Sequence, residues 1–127
     1  MNTIINYFTN RSYFSHLGAF NQLGTPTITP AGDITDGYDV IADGVSDICG
    51  TLEITRVGTP IVGEVLTITF NKPYTRRPLV FLSYNDILSP GTFYVTSTTD
   101  ELTIFATGAL TVDETYTIGF LCFEGLL

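Results

Sequence analysis

From Gly50 onward the chain alternates apolar and polar residues with a period of two. Residues 50–57 place Leu52 and Ile54 on one face and Thr51, Glu53 and Thr55 on the other. Residues 64–70 set Leu66, Ile68 and Phe70 against Thr67 and Thr69, and residues 102–106 align Leu102, Ile104 and Ala106. This period marks a half-buried strand, because successive Cβ atoms of a pleated backbone point to opposite faces. Residues 115–123 form the longest predicted strand, with Tyr116, Ile118, Phe120 and Cys122 on one face. Leu121 and Phe123 lie on the other, which predicts that the strand's end is covered on both sides. Residues 79–84, LVFLSY, open as a continuous apolar run. Such a run is buried on both faces or lies at an oligomer interface. Residues 92–98 follow a Ser89-Pro90-Gly91 turn, and residues 38–41 make a short strand among Asp and Gly turns.

Thr, Val, Ile, Tyr and Phe dominate these runs, the residues that suit a pleated sheet. Turns break them at short intervals, and no helical period persists beyond about two turns. The prediction is an all-β domain of seven or eight strands over residues 31–127, an antiparallel β-sandwich of jelly-roll-like or immunoglobulin-like type. Residues 1–30 have another texture. They lack a clean period, yet carry Tyr7, Phe8, Tyr13, Phe14, Leu17 and Phe20. So many large apolar groups predict an arm that docks on a surface.

At 127 residues the chain holds one domain plus a short arm. Only 14% of residues are charged and mean hydropathy is +0.29. An average soluble domain is about 25% charged. This predicts that part of the surface is covered by something else. Net charge is −8, and the one basic cluster is Lys72, Arg76 and Arg77. That balance argues against nucleic acid, which needs a basic stripe, and against anionic membranes. The N-terminus lacks the pattern of a secretory signal, and no apolar run reaches membrane-spanning length.

Candidate chemistry is sparse. Cys49 and Cys122 sit among apolar neighbours and read as buried free thiols. His16 is the single histidine, so any Ser-His-Asp or Cys-His site must use it, and it falls in the arm. Asp100-Glu101 and Asp113-Glu114 are the carboxylate pairs open to glycoside hydrolysis. Both fall at turns, where solvated acids are common. Asp33, Asp36, Asp39, Asp43 and Asp47 invite a calcium reading. Their spacing of three or four does not match an EF-hand, and Asx-turns account for Asp beside Gly. Arg76 and Arg77 read either as a solvated loop or as cations for intersubunit ion pairs. No cofactor and no catalytic residue is predicted.

One further pattern lies in the order of motifs. Ser46-Asp47-Ile48-Cys49-Gly50-Thr51 opens a strand, followed by Gly63-Glu64-Val65-Leu66-Thr67-Ile68-Thr69-Phe70. Then come Pro73-Tyr74 and Arg77-Pro78-Leu79-Val80-Phe81-Leu82. Gly91-Thr92-Phe93-Tyr94-Val95-Thr96-Ser97-Thr98 and Glu114-Thr115-Tyr116-Thr117-Ile118-Gly119-Phe120 complete it. Over residues 46–123 this order resembles a β-sandwich module of tailed-bacteriophage virion proteins, found in capsid decoration proteins, head fibres and tail-fibre heads. The resemblance implies a homotrimer without catalytic residues. More acidic loops and the aromatic arm depart from it.

The arm decides between the roles so implied. Fully extended, 30 residues reach only about 100 Å, at ~3.3–3.6 Å each. That is no fibre shaft, and suits an arm draped over a head. The expected function is therefore a non-enzymatic capsid decoration, or cement, protein at the virion surface. It is made in the host cytoplasm and bound as a trimer to the major capsid protein. Tyr7, Phe8, Tyr13, Phe14 and Phe20 are the expected capsid anchors. Leu79, Phe81, Phe93 and Tyr116 are expected in core or trimer packing. The alternative is a receptor-binding head recognising host surface glycan through loops around Asp86 and Asp100.

Overall fold

A computed structural model describes residues 25–32, 35–58, 62–84 and 92–124. Among them the alternating runs form eight strands: β1 (Thr27–Pro30), β2 (Tyr38–Asp43), β3 (Cys49–Arg56), β4 (Gly63–Thr69), β5 (Leu79–Tyr84), β6 (Phe93–Ser97), β7 (Glu101–Ala106) and β8 (Thr115–Phe123). Two four-stranded antiparallel sheets result, ordered β1-β4-β7-β6 and β2-β3-β8-β5. The order β1-β4-β7-β6 with β5-β8-β3 follows the A-B-E-D and C-F-G order of an immunoglobulin constant sandwich. Here, however, β3 takes the G position from between β1 and β4, and β2 extends that sheet.

The predicted inward faces meet between the sheets. Leu52, Ile54, Leu66, Ile68, Leu102, Ile104 and Ile118 are fully buried in one cluster with Phe93, Tyr116, Phe120 and Cys122. Each buried aliphatic side chain contributes roughly 1.5–3 kcal/mol. Val65 and Leu66 are consecutive, yet both are buried. The β4–β7 register shifts between Glu64 and Leu66, and a bulge there turns two neighbours to one face.

Two stretches differ from the sequence-based expectation. Thr27–Pro30, placed in the arm by texture, is a strand whose Thr27 and Thr29 pair with Thr69 and Thr67. Ile28 packs on the core, and Pro30 is tolerated because β1 is an edge strand. Among the described residues the first strand of the sandwich is therefore β1. The second stretch is β5, where alternation returns despite the apolar run. Val80, Leu82 and Tyr84 pack on the core, while Leu79 and Phe81 are 61% and 56% exposed. Across from them Phe123 is 50% exposed, so among the described residues the end of β8 is covered on one side only. The cause is layering: this sheet has one partner sheet, and its outer face has none among the described residues.

Candidate functional site

The turn between β4 and β5 carries the basic cluster, and a buried acid shapes it. Asp47 is 1% exposed. Its Oδ1 and Oδ2 accept hydrogen bonds from the backbone N–H groups of Asn71 and Lys72, both at 2.8 Å. The Tyr74 hydroxyl donates to the Asp47 carbonyl at 2.6 Å, and the Phe70 ring meets that of Tyr74 edge-on at 4.8 Å. Burial pushes the Tyr74 hydroxyl well above its ordinary range, with Cys122 and Asp47 adding to the effect. Burial likewise raises the Cys122 thiol from 9.0 to about 12. A cleft of about 210 Å³ lies here, lined by Asp47, Lys72, Pro73, Tyr74, Thr75 and Glu124. Both Asp47 oxygens already hold backbone donors, so this carboxylate organises the turn. The turn in turn fixes where Arg76 and Arg77 leave the sandwich. Both are exposed, and the Arg76 N–H donates to Glu124 Oε1 at 2.7 Å.

At the other end of the sandwich, β3 closes on a fully buried arginine. Arg56 donates through Nη1 to the Gly37 carbonyl and through Nη2 to Asp36 Oδ1, each at 3.0 Å. Its guanidinium lies 4.8 Å from the centre of the Tyr38 ring. Burial raises the Tyr38 hydroxyl's pKa, and the adjacent Arg56 charge partly opposes that. Gly58 completes the clamp: its φ is +82°, and a Cβ there would stand 2.5 Å from Asp36 Oδ1. This cluster uses its charges on one another and ties the 35–37 turn to the sheet.

The outer face of β2-β3-β8-β5 holds most of the exposed large apolar groups. Antiparallel pairing puts Leu79 opposite Phe123 and Phe81 opposite Leu121. The Phe81 and Phe123 rings meet edge-on at 5.8 Å. Three of these side chains are at least half exposed, and at roughly 200 Å² per large apolar side chain that leaves about 300 Å² open. The far edge of the same face differs. Asp39, Ile41 and Asp43 project from β2 and Glu53 from β3, all exposed. The opposite sheet has a separate outward pair, Tyr94 stacked on Phe105 at 4.9 Å and 8°.

The predicted residues therefore separate. Phe93 and Tyr116 are core residues with rings 5.9 Å apart, whereas Leu79 and Phe81 face outward. Tyr7, Phe8, Tyr13, Phe14, His16 and Phe20 lie outside the described residues, as do Asp33 and Asp86. Cys49 and Cys122 are buried and unbridged. Asp100 and Glu101 sit at the β6–β7 turn and Asp113 and Glu114 before β8. Glu114 Oε2 accepts from the Tyr116 hydroxyl at 3.4 Å. Among the described residues no three His, Cys, Asp or Glu side chains gather as a metal ion would require. Sequence reasoning did not single out Arg56, Asp36 or the Tyr94–Phe105 pair. Arg56 could have been found as the polar member at the inward end of an apolar alternation, Leu52-x-Ile54-x-Arg56. No family model, curated protein or solved structure matches this chain.

Proposed function

We propose that this chain is a non-enzymatic structural protein of a phage virion: a capsid decoration protein that binds the head surface as a trimer and stabilises the coat lattice. The observation that carries the reading is the open apolar face of Leu79, Phe81, Leu121 and Phe123 on a low-charge sandwich. A patch of about 300 Å² is the size of the largest on many monomers, and such a largest patch is often a functional surface. The motif order over residues 46–123, resembling virion sandwich modules, supports the same reading. In this account the sandwich is the rigid body and residues 1–24 the tether. Tyr7, Phe8, Tyr13, Phe14 and Phe20 insert between coat subunits. Three such arms on one trimer gain avidity through effective concentration, without strong individual contacts. Removing residues 1–25 leaves every described strand intact and should abolish binding to heads in a co-sedimentation assay. Decoration at full affinity by the truncated protein would remove the arm from the account.

A receptor-binding head is the second reading, and the Tyr94–Phe105 pair favours it. Tyr94 is 47% exposed, and a stacked aromatic pair offers an apolar platform to a sugar ring. Binding on a glycan array that is lost in Tyr94→Ala would support it. An array silent at high protein concentration, with no attachment to host cells, would dismiss it.

A further inference from the structure

The sheet β2-β3-β8-β5 ends in two unlike edges, and the two edges complement each other. At β5 the outer face carries Leu79 and Phe81, and the preceding turn presents Arg76 and Arg77. At β2 it carries Ile41, 58% exposed, between Asp39 and Asp43. Both β2 and β5 are terminal in the sheet order, so each also has one unpaired backbone edge among the described strands. An apolar site flanked by cations thus sits at one edge, and an apolar site flanked by anions at the other. Among the described residues neither Arg76 nor Arg77 forms an ion pair.

We propose that the β5 edge of one copy docks on the β2 edge of the next, head to tail, and that three copies close a ring with this face turned inward. The proposal rests on the trimeric part of the function given above and supplies its geometry. Charge selects the partner. At net charge −8 two copies repel over most orientations, and this contact brings Arg76 and Arg77, at the Leu79 end of β5, towards the Asp43 end of β2. Area points the same way. The β5–β8 patch alone, about 300 Å², falls short of the roughly 800 Å² per partner of a stable interface. A head-to-tail contact recruits both edges of every subunit, so each copy is buried twice. Along the strands Ile41 lies four residues from the row of Phe81 and six from that of Leu79, or roughly 14–20 Å. Tilting the strands in a closed ring takes up that offset, as in a barrel.

Complementary blocking tests this. Phe81→Asp spoils only the β5 edge and Ile41→Arg only the β2 edge. Both positions are exposed, so circular dichroism should show an unchanged fold. By native mass spectrometry at about 50 µM the unaltered chain should be a trimer and each variant a monomer. Their equal mixture should give a 1:1 pair, because one intact β5 edge meets one intact β2 edge. A trimeric Ile41→Arg, a mixture that stays monomeric, or an unaltered chain that is monomeric or dimeric would each overturn the proposal. Head binding separates the two readings. A ring that ignores heads refutes the decoration function and leaves the ring standing. A monomer that decorates heads does the reverse.

Discussion

At the scale of single residues, the buried charged groups among the described residues, Asp47 and Arg56, each hold a clamp, and each clamp makes a sharp prediction. Arg56 is fully buried and held by Asp36, Gly37 and the Tyr38 ring. Removing Asp36 leaves a buried cation short of its counter-charge. Asp36→Ala should lower unfolding stability by about 1–3 kcal/mol in urea titrations. Arg56→Ala should cost more, roughly 3–5 kcal/mol, since packing is lost as well. Equal stability in both variants would mean that the clamp is idle. The second clamp titrates. The Cys122 thiol holds its proton to about pH 12 in the fold, against 9.0 ordinarily. The folded state therefore binds that proton more tightly than the unfolded chain does. The resulting stability is fully present below pH 9 and is lost as pH rises from 9 towards 12. Tyr74 and Tyr38 shift in the same direction and add to the loss at higher pH. Melting temperature should be flat from pH 7 to 8.5 and fall above 9, with a later onset in Cys122→Ala. An onset unchanged by that substitution would assign the alkaline loss elsewhere.

Among the elements, β1 separates arm from body. Ile28 packs on the core, and β1 covers one edge of β4. Removing residues 1–25 should leave the melting temperature within about 2 °C, whereas removing residues 1–30 should lower it by 5 °C or more. Equal melting temperatures would show that β1 adds nothing to the sheet. The strands from β2 to β8 were legible because alternation is a direct consequence of one face meeting the core. β1 was hidden because four residues ending in proline are too short to establish a period within an aromatic, Asn-rich stretch. Which side of β5 faces out was not legible, because Leu79, Val80, Phe81 and Leu82 have no polar member to mark it. The clamps were illegible for another reason. Asp47 and Asp36 look like any turn acid, and only pairing across 24 and 20 residues makes them structural. The apolar outer face left one signal, Leu121 and Phe123 opposite the inward side of β8. The acidic edge that complements it depends on strand order, which no local pattern encodes.

For the whole molecule, the two faces of the sandwich have unequal tasks in this account. The inward faces hold the fold, and the outer face of β2-β3-β8-β5 holds neighbours. Since the seam is partly ionic, the ring should loosen as salt rises from 0.05 to 1 M, where the screening length drops to about 3 Å. The most direct test of the central claim, a role on the capsid surface, is cryo-electron microscopy of particles made with and without this protein. The account predicts density at three-fold or quasi-three-fold points of the head, with arms running between coat subunits, present only when the protein is present. Density confined to a tail tip or fibre end, or no density on the particle, would contradict it.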